Sequence, residues 1–237
     1  MRLACQTRPE ADLAITPLVS VGKNPGRTLS LGGVQGSEQQ VVCMFVDMRD
    51  STRLGESTLP YDVVFILNQF FVELSVALEA TEGHYAQFAG DGLMALYGVG
   101  QDDMAQAARM ALLGAASMFD RLDRLNERLE PEFSLKIRMG IGIHTGTTIV
   151  GRMGPPGAPV LTAIGDNINI AARLESASKI EACDLIVSNE TLTALAHGSL
   201  DGFQLDRACI EVRGREGGID VARLHASQLA ELAQRLR

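Results

Sequence analysis

Asp47 and Asp91 are the two acidic residues placed where carboxylates can do chemistry. Asp47 closes the apolar run Val41-Val42-Cys43-Met44-Phe45-Val46, and Asp91 forms the tip of Gly90-Asp91-Gly92 between two further apolar runs. A β-α-β-β unit can bring a first strand beside a later hairpin. Two carboxylates that meet there without a basic partner repel, unless a divalent cation sits between them. Ligands made only of oxygen suit Mg²⁺ or Mn²⁺, which also hold phosphates. Taken singly, each aspartate reads more simply as a turn former or a helix cap. Met48-Arg49-Asp50-Ser51-Thr52 follows Asp47. A strand end running into a helix start offers free backbone N–H groups to phosphate oxygens, and the same residues serve plain capping. The third feature is Asn169 with Arg173, four residues apart and so on one helix face, among Ile168, Ile170, Ala171, Ala172 and Leu174. A guanidinium fork matches a phosphate, and an amide can orient a ribose. The competing reading pairs Arg173 with a carboxylate in the core.

The elements that must position these residues follow from the hydrophobic pattern. The run 41–46 predicts a buried strand ending at Asp47. Thr58-Leu59-Pro60 predicts a capped helix start, followed by Val63, Ile66, Leu67, Phe70, Phe71, Leu74 and Leu78 at helical spacing and a stop at Gly83. Residues 84–88 and 93–97 around Gly90-Asp91-Gly92 predict a hairpin. A second helix is expected over 102–129, closed by Pro131. A long strand is expected over 135–144, with a turn and then a continuation over 147–151. Strands over 160–164 and 185–188 flank a helix over 167–177. Short strands near 209–212 and 219–224 precede a C-terminal helix. The order predicts an α+β fold: a ferredoxin-like β-α-β-β-α-β core with helices over a mixed sheet. The expected organisation is a linker over 1–38, a catalytic domain over 39–226 and a C-terminal helix or tail over 227–237.

Composition narrows the function classes. The chain is 46% apolar and 21% charged, which is globular rather than disordered. A net charge of −8 disfavours a nucleic-acid partner but not a nucleotide, which needs only local cations or a metal. No apolar run approaches the roughly 18 residues of a membrane span, so no membrane segment is expected. Cys5, Cys43, Cys183 and Cys209 form no CxxC pair, which fits a reducing, cytoplasmic setting.

Three segments together resemble the class III nucleotidyl cyclase catalytic domain, over roughly 40–225. They are Phe45-Val46-Asp47-Met48-Arg49-Asp50-Ser51-Thr52, Gly90-Asp91-Gly92-Leu93-Met94-Ala95 and Asn169-Ile170-Ala171-Ala172-Arg173-Leu174. Arg213-Gly214 falls where the family usually has Lys-Gly. The resemblance implies two divalent cations, Mg²⁺ or Mn²⁺, held by Asp47, Asp91 and the backbone of Met48. It implies that Asn169 orients the ribose and that Arg173 stabilises the transition state. Arg213 and the 50–52 turn (Asp50, Ser51, Thr52) would meet phosphates. It further implies a head-to-tail homodimer with sites shared across the interface. The Met153-Gly-Pro-Pro-Gly-Ala-Pro159 segment would lie in the dimerisation arm. ATP would be converted to 3′,5′-cyclic AMP and pyrophosphate.

The base readers would be Gln87 and Thr162. Adenylyl cyclases typically carry Lys at the first position and Asp or Thr at the second. An amide both donates and accepts, so Gln87 predicts ATP preference with weakened discrimination against GTP. A guanylyl or dual-specificity cyclase is the alternative within the class; a low-activity nucleotide-binding regulatory module is the alternative outside it. Arg2-Leu-Ala-Cys5-Gln-Thr-Arg-Pro9 resembles the tail of plant-type [2Fe–2S] ferredoxin domains, and one cysteine cannot hold a cluster.

Overall fold

In the computed structural model, residues 35–51, 54–55, 58–153, 160–211 and 217–237 are described. The first strand, β1 (Gln35–Arg49), is longer than its apolar run. Its alternation decides which face does what. Val42, Met44, Val46 and Met48 enter the main core, while Val41 and Cys43 enter a second cluster on the opposite face. Asp47 therefore shares the second face, because successive side chains alternate.

Helix α1 (Pro60–Ala80) begins with proline in its first turn. Leu59 is the N-cap and offers no side-chain bond, so the expected Ser/Thr cap is not what starts this helix. Ile66, Phe70, Leu74, Ala77 and Leu78 are its buried stripe. Each of the four larger side chains among them contributes roughly 1.5–3 kcal/mol on burial. By length and composition alone α1 could cross a membrane, although Asn68, Gln69 and Glu73 interrupt its apolar run. In the fold, its buried stripe packs against the sheet and helix α2 (Met104–Phe133).

The hairpin β2 (His84–Ala89) and β3 (Gly92–Tyr97) matches its expectation. Helix α2 does not stop before Pro131. It runs through that proline to Phe133, where Ser134 adopts a left-handed φ of 50° and its N–H reaches the Glu130 carbonyl. Proline so near a helix end forfeits little, since one N–H is lost in the last turns. Buried Asn126 ties this end down by accepting from the Ile137 N–H at 2.7 Å and donating to the Ile137 carbonyl at 2.9 Å.

Strand β4 (Arg138–Met153) is continuous; the turn expected near residue 145 is absent. Gly146 sits inside the strand with the Asn167 side chain against it, so this glycine makes room rather than a turn. Then follow β5 (Val160–Ile164), α3 (Asp166–Ile180), β6 (Leu185–Ser188), α4 (Asn189–Ala194), β7 (Asp206–Ile210), β8 (Ile219–Leu224) and α5 (Ala226–Leu236). Helix α4 was not expected, because six residues are too short to show a period. It is started by Ser188, whose side chain accepts from the Thr191 N–H.

The sheet runs β2-β3-β1-β4-β6-β8-β7, with β5 paired to β4. β4 and β6 are parallel; the other pairs are antiparallel. Helices α1, α2 and α5 cover one face; α3 lies on β4 and β1 across the other. This is the expected ferredoxin-like α+β core, extended on the β6 side.

Candidate active site

Sheet register brings the two aspartates together. Asp47 lies opposite Gly92 on β3 and opposite Gly140 on β4. Asp91 adjoins Gly92 in the two-residue loop whose Gly90 has a left-handed φ of 67°. Asp47 is half-buried. Burial first, and then the charge of Asp91, hold its carboxyl above the usual carboxylate range, while the Met48 N–H and Arg49 pull the other way. Two such carboxylates are a destabilising pair in the bare protein and a binding pair for a cation. Two carboxylates offer only oxygen, a donor type that suits Mg²⁺ or Mn²⁺.

The turn after β1 enters a short helical stretch at Ser51, with the Leu54 N–H directed at the Asp50 carbonyl. Asp50 has a left-handed φ of 58°. Its carboxylate is turned to Arg138 at 2.6 Å and Lys179 at 3.3 Å, and these cations lower its pKa. The Asp50 carboxylate is thus held by cations of its own chain. Thr52 and Arg213 lie outside the described residues, as do Cys5 and residues 154–159 of the expected arm.

Gln87 is exposed on β2 just past a bulge, and Thr162 is half-buried on β5. Strands β2 and β5, which carry these two residues, touch. Asn169 is exposed and Arg173 half-buried on α3. Among the described residues, neither side chain makes a hydrogen bond or ion pair. Among the described residues, no core carboxylate pairs with Arg173.

Two residues that sequence reading missed complete the picture. Glu175 follows Arg173 by two positions, about 200° around the helix, so the two project to opposite sides. Its carboxylate lies over Gly140, beside Arg49 and Ser178. Arg49 donates to Ser178 Oγ at 2.7 Å and to the Cys183 carbonyl at 3.0 Å, which fixes it beside the aspartates. Burial, and next the charge of Asp47, push the Glu175 carboxyl up to about 7. Residue spacing could have flagged Glu175, since an acid two residues past an arginine must face away from it.

The raised Glu175 value has a measurable consequence. The folded chain keeps a proton that the unfolded chain releases. This contribution to stability is whole below about pH 4.3 and is lost as pH rises through about 7. In protein freed of divalent cations, Glu175→Gln is expected to raise Tm by ~2–6 °C at pH 8 and to change it little at pH 5. Calorimetry in a chelator checks this; a lower Tm at pH 8 would contradict it.

The adenylate and guanylate cyclase catalytic-domain model matches residues 34–225. An adenylate cyclase of Anabaena cylindrica is 26% identical over 194 residues, covering 80% of this chain and 38% of that protein. Adenylate cyclase 1 of Rhizobium meliloti is 32% identical over 157 residues, covering 66% of this chain and 24% of that protein. The chain thus spans well under half the length of these two relatives. Among solved structures, the guanylyl cyclase Cya2 superposes with a TM-score of 0.71 at 22% identity, covering 79% of this chain and 92% of that one. The adenylyl cyclase CyaB from P. aeruginosa superposes with a TM-score of 0.71 at 23% identity, covering 79% and 94%. By these matches and its fold, the chain belongs to the class III adenylyl and guanylyl cyclase catalytic-domain family.

Proposed function

We propose that the chain cyclises ATP to 3′,5′-cyclic AMP and pyrophosphate in a head-to-tail homodimer with two shared sites. One observation carries the reading. Asp47 and Asp91 neighbour Glu175 on one side of α3, whereas Arg173 projects from the other side. The cations acting most strongly on Asp47 are Arg49 and Lys179, not Arg173. One chain therefore supplies the carboxylates of one site and the arginine of another, and a second copy completes each.

Class III cyclase domains generally use divalent metal ions, and Asp47, Asp91 and the Met48 carbonyl would hold Mg²⁺ or Mn²⁺. Bound there, these ions would supply Lewis-acid polarisation of the triphosphate and of the ribose 3′-hydroxyl. The backbone N–H groups after β1 orient the phosphates. Asn169 of one copy orients the ribose so that its 3′-oxygen faces the α-phosphorus. As that bond forms and the bond to pyrophosphate breaks, charge grows on the phosphoryl oxygens. Arg173 meets that charge with a planar, two-pronged donor.

Gln87 and Thr162 read the base. Support for ATP comes from Thr162 and from the two adenylate cyclase relatives. The Gln87 amide accepts from the adenine amino group and donates to its ring nitrogen, but it also fits guanine, which favours weakened discrimination. Purified chain incubated with Mn²⁺ and either nucleotide is expected to form more cyclic AMP than cyclic GMP, separated by liquid chromatography. Cyclic GMP in excess would assign the domain to GTP instead. Gln87→Glu is expected to shift the kcat/KM ratio toward GTP by about tenfold. A carboxylate accepts from the guanine N–H groups and repels the adenine ring nitrogen.

A further inference from the structure

Strand β4 presents Gly140, Gly142, His144 and Gly146 to α3, because alternate residues share a face. A Cβ at Gly142 would strike the Glu175 backbone N and the Ala171 carbonyl, and one at Gly146 would strike the Asn167 side chain. The helix thus rests on bare strand backbone, and His144 is the one side chain in this lane. It is 2% exposed. Its Nε2 meets Asn167 Oδ1 at 3.0 Å and its Nδ1 meets Ser188 Oγ at 2.9 Å. Asn167 Nδ2 donates to the Thr147 carbonyl at 2.5 Å, so the amide oxygen is the atom facing the imidazole. His144 therefore donates from Nε2 to Asn167, while its Nδ1 faces the Ser188 hydroxyl and, at 3.8 Å, the Glu190 carboxylate.

Asn167 is the second residue of α3, two before Asn169 and six before Arg173. The N-cap of α3, Gly165, gives no side-chain cap bond. The start of this helix is consequently held by β4, through Asn167, rather than by its own cap. We propose that His144 is a positioning residue for the reaction: it fixes the rotation and height of the first turn of α3 on β4, and so the placement of Asn169 and Arg173. The inference rests on the cyclase reading, in which those two residues act on substrate. Reacting groups held this tightly are sensitive, since a displacement of about 1 Å can cost ~10²-fold.

The test uses the full chain with His144→Ala, His144→Gln, Arg173→Ala and the double variant His144→Ala/Arg173→Ala. With ATP and Mn²⁺, His144→Ala is expected to lower kcat by ~10–100-fold, with KM and Mn²⁺ dependence nearly unchanged. Gln can donate to Asn167 and accept from Ser188, so His144→Gln is expected to restore most of the rate; it also serves if the alanine variant fails to fold. In the Arg173→Ala background, His144→Ala is expected to cost under about threefold, because the two act as a unit. Hydrogen exchange supplies a readout without turnover: amides over 166–173 are expected to exchange faster in His144→Ala and to recover in His144→Gln. Equal losses with and without Arg173, or unchanged exchange in this stretch, would overturn the proposal. A wild-type chain that makes no cyclic nucleotide would instead overturn the cyclase reading, while the exchange measurement still decides whether His144 holds α3.

Discussion

On the proposed mechanism Asp47→Ala will lower cyclic nucleotide formation by ~10³-fold or more, because losing a metal-holding carboxylate would remove several kcal/mol of charge stabilisation. The fold should survive. Asp47 lies between Gly92 and Gly140, and its carboxyl is held above its normal range by burial and by Asp91. Removing it from metal-free protein relieves repulsion, so Tm should stay level or rise. The variant should also lose the Tm increase that Mn²⁺ gives the wild type, since a ligand that binds the folded state stabilises it by mass action. Turnover by product chromatography and unfolding with and without Mn²⁺ measure both effects. Turnover near the wild-type rate would remove this aspartate from the chemistry.

Arg173→Ala will give a loss of similar size for a different reason. An arginine aimed at a transferring phosphoryl group supplies ~10³–10⁵ in rate where it has been measured. Within the described part of one chain, its side chain holds nothing together. Tm and the Mn²⁺-induced Tm increase should therefore match the wild type, which separates this variant from Asp47→Ala. Arg173→Lys should recover only part of the rate, because a point charge lacks the two-pronged donor.

How far the sequence told of this site depends on which residues set it. The places of Asp47, Asp91, Asn169 and Arg173 in the fold were legible, because each stands at the end or on one face of an element whose period is clear. The hairpin at Gly90-Asp91-Gly92 was legible for the same reason. What escaped was imposed by neighbours. A turn was expected near residue 145, yet β4 runs straight on, and its Gly142 and Gly146 make room for α3. Pro131 read as a stop, yet Asn126 and Ser134 carry the helix past it. His144 read as an ordinary strand residue, because its partners Asn167 and Ser188 are 23 and 44 residues away. Glu175 directly follows a motif that was read for its other face.

The shared site is tested most directly by mixing the two disabled chains. Asp47→Ala retains Arg173, and Arg173→Ala retains both aspartates, so a mixed dimer contains one intact site and one doubly broken one. Coexpressed in equal amounts and purified together, the pair should regain about one quarter of wild-type turnover: half the dimers are mixed, with half their sites intact. A mixture no more active than either variant alone would contradict a site built from two copies.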